Sequence, residues 1–188
     1  PEPQEIYSII RGTDIELPCM LAMWLSFTMS EVRGLRVCDI KNGVVTINQV
    51  IVDVDGMPIA KAAGKEYDRN RALAVPPYIM RLIEDTPAWK DGDGYIVPRS
   101  GQAIYKRFKR LCAKADIDIT FHDLRHVNAS VMLQLNVPDK YAMERGGWKT
   151  DSTMKRVYQE TFSRERKNVD AIIDSYFDDV TKNFAPKK

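Results

Sequence analysis

The stretch that most constrains the fold is residues 16–28, ELPCMLAMWLSFT, where apolar side chains occupy almost every position. A helix that is apolar on all sides has no face to turn towards water, so the rest of the chain must cover it. Pro18 fits such a helix only within the first turn. The sequence therefore predicts a helix that begins near Glu16 and is buried inside the domain.

Apolar residues recur at helical spacing through most of the remaining chain. Helices are predicted for residues 3–11, for the segment from Ser30 (its N-cap) through VRGL, and for the stretch that follows Ser100. Thr120 and Asp123 resemble a capping box at the start of another helix, and a further helix runs from Pro138 to the glycines at 146 and 147. A buried stripe on the helix after Thr120 is expected from Leu124, Val131 and Leu135.

One β-branched segment interrupts this helical pattern. Residues 44–56, VVTINQVIVDVDG, alternate in polarity and end in an Asp-Gly turn, which predicts a strand that enters a hairpin. MPIAKA at 57–62 and RALAVP at 71–76 are predicted as two further short strands. The expected fold class is α+β, mainly helical, with a small three-stranded antiparallel sheet.

The composition excludes several classes of protein. With 188 residues and 44% hydrophobic residues, the chain suits a single domain over 1–188, and its abrupt start predicts that it was cut from a longer protein. Three cysteines without a CxxC pair indicate neither a disulfide framework nor a zinc cluster. No apolar run reaches the roughly 18 residues of a membrane span, and no signal peptide is visible. We therefore expect a soluble cytoplasmic protein without a membrane partner.

The net charge of +2, from 28 basic and 26 acidic residues, does not by itself indicate a nucleic-acid partner. Such a partner must be argued from local clusters. The helix after Ser100 carries one such cluster, which can be a solvated helix face or a surface that contacts the phosphates of a nucleic acid. Its members are Lys106, Arg107, Lys109 and Arg110.

Both histidines of the chain, His122 and His126, lie four residues apart in TFHDLRHVNAS. Zinc peptidases use this spacing, but Asp123 is shorter than their glutamate base, and Arg125 would place a fixed positive charge beside the metal. We therefore expect no metal. A purely structural pair of histidines is a second interpretation. A third is that His122 and Arg125, which share a helix face, together bind an oxyanion such as a phosphate.

The four residues from His122 to Arg125 read HDLR, and here the chain resembles the tyrosine recombinases, or phage-type integrases, whose hallmark is HxxR. In GGWKTDSTMKRVYQET, Trp148 and Tyr158 match the family's His or Trp and the tyrosine ten residues later. SEVRGLRVCDI and KEYDRNRALAVP match the family's upstream segments, the second of which contains the sheet lysine, Lys65. The resemblance covers nearly the whole chain and implies the family's catalytic domain, without its N-terminal DNA-binding domains.

The resemblance implies a direct transesterification of DNA with no metal and no cofactor. Tyr158 would attack the scissile phosphate and form a 3′-phosphotyrosyl intermediate, while Arg125 and His122 meet the charge of the transition state. Trp148 would pack beside the phosphate and donate its indole N–H, and Lys65 would protonate the leaving 5′-oxygen. Supporting roles, without substrate contact, are implied for His126 and Glu31.

One position departs from the family pattern. The family has a first arginine three residues before Glu31, and here that residue is Thr28. Threonine carries no charge, so the expected loss is on the order of 10²- to 10³-fold in cleavage rate. Arg33 lies about 140° further round a helix at roughly 100° per residue, so we do not expect it to replace the missing arginine.

The implied function is site-specific recombination during integration or excision of a phage or mobile element in a bacterial cell. The expected partner is a double-stranded DNA attachment site, bound by a homotetramer that is monomeric in isolation. Residues 163–188 are expected to form a C-terminal helix and tail that docks on a neighbouring subunit, or else on their own domain. Two alternatives stay open: a DNA-binding relative that does not cleave, and a type IB topoisomerase.

Overall fold

The computed structural model describes residues 1–63, 71–148 and Ser175. Within these residues the helices are α1 (Pro3–Ile10), α2 (Glu16–Leu25), α3 (Met29–Gly34), α4 (Pro77–Glu84), α5 (Pro87–Asp91), α6 (Gly101–Lys114), α7 (Asp123–Gln134) and α8 (Asp139–Gly146). A 3₁₀ turn spans Val37–Asp39. None of the described helices is long and apolar enough to cross a lipid bilayer.

The expected buried helix is α2, and the prediction is confirmed. Eight of its ten residues are buried, including Pro18 in the first turn. Helices α1, α3, α4 and α7 pack around it. The helix ends because Ser26 adopts a left-handed conformation, with φ of 61°. This turn leaves the Ser26 carbonyl able to accept hydrogen bonds from side chains of the site described below.

A three-stranded antiparallel sheet is present, as expected, with Val44–Thr46 in the middle, but residues 57–62, predicted as one of its strands, are not part of it. Its strands are β1 (Ile40–Lys41), β2 (Val44–Thr46) and β5 (Ala72–Ala74), while β3 (Gln49–Val54) and β4 (Met57–Ala62) form a separate hairpin. The prediction that 44–56 is one strand was therefore wrong. The Ile47 N–H bonds to the Arg71 carbonyl, whereas the next carbonyl, that of Asn48, accepts from Ala63, so the chain changes partner between these two residues.

Helix α3 begins one turn from the end of α2, and its cap is Thr28 rather than the expected Ser30. The Thr28 hydroxyl accepts a hydrogen bond from the Glu31 N–H at 3.3 Å, and the Glu31 carboxylate accepts one from the Thr28 N–H at 2.7 Å. This reciprocal pair is a capping box, which satisfies two backbone donors at the helix start. The residue at the position of the family's first arginine therefore has a structural role.

The expected stripe on α7 was partly wrong. Leu124 is fully buried, but Val131 is only partly buried and Leu135, which follows the end of the helix, is 70% exposed. The buried face of α7 instead contains the polar side chains of Arg125 and Asn128. It is rotated from the predicted stripe because these two polar residues, which a hydrophobic pattern ignores, point inwards towards the end of α2.

Candidate functional site

A cavity of about 350 Å³ lies between the start of α3, the start of α6 and the turn before α7. Thr28 lines it together with His122 and Arg125, although Thr28 lies almost 100 residues before them in the chain. The other lining residues are Phe27, Met29, Arg33, Asp53, Gly101, Gln102, Tyr105, Thr120 and Phe121. The fold thus gathers three of the sequence-predicted site residues around one space.

His122 lies in the turn just before α7, with helical backbone angles of −66° and −32°. The turn is fixed by Asp123, whose carboxylate accepts hydrogen bonds from the Thr120 N–H at 2.7 Å and the Thr120 hydroxyl at 2.8 Å. Burial alone would raise the pKa of Asp123, but these bonds and the nearby imidazoles outweigh it, so the pKa lies below its usual value. A charged Asp123 therefore anchors the turn that holds His122.

Arg125 lies in the wall of the cavity and joins three parts of the fold. Its guanidinium donates to the carbonyl of Ser26 and, at 2.9 Å, to the carbonyl of Gly146. The Arg125 Cζ also lies 5.5 Å from the centre of the Trp148 ring, within the range of a cation–π contact. The structure thus places Trp148 beside Arg125.

Glu31 lies behind Arg125 and is 1% exposed. It forms an ion pair with Arg71 at 2.9 Å, and its other carboxylate oxygen lies 3.7 Å from Arg125. Burial disfavours the charged form of Glu31, but the charge and hydrogen bond of Arg71, the Thr28 N–H and Arg125 together lower its pKa below the usual value. Glu31 therefore remains a carboxylate shared by two buried guanidinium groups.

The Ser26 carbonyl accepts from both of these guanidinium groups. Arg71 donates to it at 3.2 Å, and Arg125 donates to it as well. The left-handed conformation of Ser26 at the end of α2 makes this carbonyl available, because it no longer belongs to a helical hydrogen-bond ladder. The sequence analysis missed Ser26, since a serine after an apolar helix carries no local signal of this role.

The two glycines at the end of α8, Gly146 and Gly147, leave no room for a side chain, because the Trp148 ring and Arg71 pack against them. Gly147 has a φ of 64°, and a Cβ atom on it would lie 2.5 Å from the Arg71 guanidinium. A Cβ on Gly146 would lie within 2.8 Å of the Trp148 ring. The predicted end of the helix at these glycines is confirmed, and the reason is close packing as much as backbone conformation.

Comparison with known proteins places the chain in a family. Residues 2–164 match the model of the phage integrase family. The chain belongs to this family. A relative named integrase, from Saccharopolyspora erythraea, is 33% identical over 95 residues, which cover 47% of this chain and 22% of the relative.

Solved structures of the family show the same fold. The integrase of transposon Tn1549, in complex with transposon right end DNA, has a TM-score of 0.70 at 16% identity. The match covers 88% of this chain and 63% of the integrase chain. XerA recombinase has a TM-score of 0.57 at 15% identity, covering 88% and 62%. A lambda integrase tetramer bound to a Holliday junction has a TM-score of 0.57 at 18% identity, covering 82% and 45%. The chain thus spans less than two thirds of these proteins and has the tyrosine recombinase catalytic fold.

The remaining predicted site residues divide into two groups. The His126 ring lies beside that of His122, with 5.3 Å between the ring centres. Lys65 and Tyr158 lie outside the described residues, as does the segment 163–188 apart from Ser175. Their predicted roles therefore stay predictions.

The basic residues predicted to contact DNA all lie on α6. Arg107 forms an ion pair with Asp14 at 3.1 Å, and Lys109 forms one with Asp118 at 3.2 Å. Lys106 and Arg110 are exposed. Gln102 and Tyr105 of the same helix line the cavity, so the exposed start of α6 lies next to the site.

Arg33 lines the same cavity as Thr28. Thr28 is an N-cap with extended backbone angles of −75° and 162°, so its side chain does not follow the helical count of about 100° per residue. The expectation that Arg33 does not replace the missing arginine stays a prediction. Arg33 donates two hydrogen bonds to Asp53, at 2.9 and 3.0 Å.

Replacing Glu31 by glutamine tests the shared carboxylate. Breaking a buried ion pair costs about 3–5 kcal/mol, so Glu31→Gln should lower the free energy of unfolding at pH 7 by that order. The pKa of Glu31 in the folded protein lies below its usual value of 4.5. The Glu31 carboxylate therefore contributes its full stabilisation of the fold above about pH 4.5, and this contribution is lost as the pH falls through the folded pKa. Urea unfolding at a series of pH values would measure both effects.

The Glu31→Gln protein should lack this part of the acid dependence. A matched control is Glu84→Gln, because Glu84 is exposed at the end of α4. The control should unfold like the unaltered chain. Equal stabilities for the two variants at pH 7 would contradict the role assigned to Glu31.

Proposed function

We propose that the chain is the catalytic domain of a site-specific DNA recombinase that cuts and rejoins DNA through a covalent tyrosine intermediate. The observation that carries the proposal is the meeting of His122 and Arg125 at one cavity, with Trp148 against the Arg125 guanidinium. Membership of the phage integrase family supports it.

The charges of the site suit a phosphodiester. Glu31, Arg71 and Arg125 form a buried cluster of one negative and two positive groups, so the cluster carries a net positive charge. A phosphodiester carries one negative charge, and more negative charge gathers on its non-bridging oxygens in the transition state. Donors fixed in advance around this charge stabilise the transition state without having to reorganise.

The reaction needs a nucleophile and an acid in addition to these positively charged donors, which together form the proposed phosphate clamp. In the proposed step the Tyr158 hydroxyl oxygen forms a bond to phosphorus as the bond from phosphorus to the 5′-oxygen breaks. The 5′-oxygen takes a proton from Lys65, and the phenol proton replaces it, so no proton is consumed overall. Attack by a 5′-hydroxyl on the phosphotyrosine reverses the step and rejoins the strand, without a metal or cofactor.

Thr28 is the weak point of the proposed clamp. Its hydroxyl is engaged in the cap of α3, so it offers neither the charge nor the fork of an arginine. Loss of one such donor typically lowers the rate on the order of 10²- to 10³-fold. We propose that cleavage is weakened at this position. A relative that binds DNA without cleaving it is the alternative that Thr28 favours.

The proposed partner is a double-stranded attachment site of a phage or mobile element in the bacterial cytoplasm. The Tn1549 integrase was solved with transposon end DNA and lambda integrase as a tetramer on a Holliday junction, which supports a homotetramer on DNA. The proposed tetramer would be joined through 163–188. The exposed Lys106 and Arg110, on the helix whose start lines the cavity, would contact the DNA backbone.

Tyr158→Phe tests the nucleophile. The probe is a randomised duplex library with one 5′-bridging phosphorothiolate linkage, whose leaving thiol rejoins poorly, so that covalent adducts accumulate. Adduct formation on a denaturing gel should disappear in Tyr158→Phe because phenylalanine has no oxygen to form the bond. Tyr141→Phe is the matched control, since Tyr141 is 62% exposed on α8. Adduct in Tyr158→Phe, or none in the unaltered chain and the control, would contradict the proposal.

Lys65→Ala tests the general acid separately. On ordinary DNA the variant should cleave about 10²- to 10⁴-fold more slowly, whereas on the phosphorothiolate library it should cleave nearly normally, because a thiolate leaves without protonation. Lys61→Ala, on the neighbouring strand β4, is the matched control and should not discriminate between the substrates. A Lys65→Ala defect of equal size on both substrates would exclude this role.

A further inference from the structure

Arg33 is a second arginine at the cavity that the family pattern does not assign to the site. It lies near the end of α3, and its side chain is only 8% exposed. It lines the same cavity as Thr28, His122 and Arg125. A guanidinium, paired with Asp53, is therefore present in the wall of the cavity that Thr28 also lines.

The Arg33 side chain is held in a defined position. Asp53 of β3 accepts from both Nη atoms, at 2.9 and 3.0 Å, in a forked pair. On the other side lies Gly101, the first residue of α6, where a Cβ atom would lie 3.5 Å from Nη1 of Arg33 and 3.2 Å from Met29. The distance to Arg33 is ordinary van der Waals contact, so the start of α6 packs directly against the guanidinium.

The pairing with Asp53 does not prevent Arg33 from binding a second anion. A guanidinium has five N–H donors, and the two bonds to Asp53 use two of them. The Asp53 side chain is 48% exposed, so the pair is partly hydrated. Asp53 itself lines the cavity, so the pair as a whole borders the space that a phosphate would occupy. Glu31 forms a comparable pair with Arg71 and lies 3.7 Å from Arg125. A carboxylate behind a guanidinium fixes its direction and leaves its remaining donors for phosphate.

We propose that Arg33 is a catalytic residue that supplies the guanidinium missing at Thr28 by donating to a non-bridging oxygen of the scissile phosphate. The inference rests on the proposed DNA cleavage. It limits the weakening caused by Thr28, because part of the lost charge is recovered from a different position on α3. It also predicts that arginines at positions 28 and 33 are redundant with each other.

A double-mutant cycle tests this redundancy. The four proteins are the unaltered chain, Arg33→Gln, Thr28→Arg and the combined variant, each assayed for adduct formation with the randomised phosphorothiolate library. We expect Arg33→Gln to slow adduct formation about 10²-fold or more. Thr28→Arg should accelerate it by about tenfold or less, and Thr28→Arg should restore most of the rate lost in Arg33→Gln.

Arg36→Gln is the matched control, because Arg36 pairs with Asp39 at 3.2 Å and does not line the cavity. It should leave the rate unchanged. Thermal unfolding is measured for every variant, since loss of the Asp53 pair also affects stability. If Arg33→Gln does not fold, Arg33→Lys replaces it: lysine keeps the charge but lacks the fork, and a folded Arg33→Lys at the unaltered rate overturns the proposal.

The outcomes separate this inference from the function on which it rests. Adduct in the unaltered chain with no effect of Arg33→Gln overturns the role of Arg33 and leaves DNA cleavage intact. Adduct only after Thr28→Arg also overturns it, because Arg33 then does not compensate. A slow Arg33→Gln protein that Thr28→Arg fails to rescue indicates a structural role and overturns it too. Adduct in none of the proteins contradicts the proposed function, and the inference falls with it.

Discussion

The site depends on one buried carboxylate. Glu31 forms an ion pair with Arg71 and lies 3.7 Å from Arg125, and both arginines also donate to the carbonyl of Ser26. Two buried guanidinium groups would repel each other strongly without this shared acceptor set. The cap of α3 serves the same cluster, because the Thr28 N–H donates to the Glu31 carboxylate. The same buried interactions of Glu31 therefore stabilise the fold and hold Arg125 in place.

The buried helix α2 connects this cluster to the rest of the domain. The helix packs on four neighbouring helices, and the Trp24 carbonyl, two residues before Ser26, accepts from Asn128 and Arg145. Carbonyls at the end of α2 thus receive side chains from α7 and α8. A shift of α2 would move Arg125, which explains why an all-round apolar helix that does not line the cavity matters for the proposed chemistry.

Elements with strong local signals were predictable from the sequence. The all-apolar α2, the Ser100 cap of α6 and the glycine-terminated α8 lie where the patterns place them, since each depends on nearby residues. The division of 44–56 into two strands was not predictable, because it depends on which distant residues pair with Ile47 and Asn48.

The site followed the same rule. The spacing of His122 and Arg125 was visible in the sequence, and the fold brings Thr28 to them. No role was predicted for Arg71, because its ion pair with Glu31 is a tertiary contact. A helical count alone did not show that Arg33 and Thr28 line one cavity, because Thr28 is an extended cap residue.

The central claim is that this domain breaks a DNA strand with Tyr158 as the nucleophile. The most direct measurement is peptide mapping by mass spectrometry of the adduct trapped with the phosphorothiolate library, after digestion of both protein and DNA. The account predicts a nucleotide 3′-phosphate linked to the peptide that contains Tyr158. A nucleotide on any other residue, or DNA that is bound but never covalently attached, would contradict it.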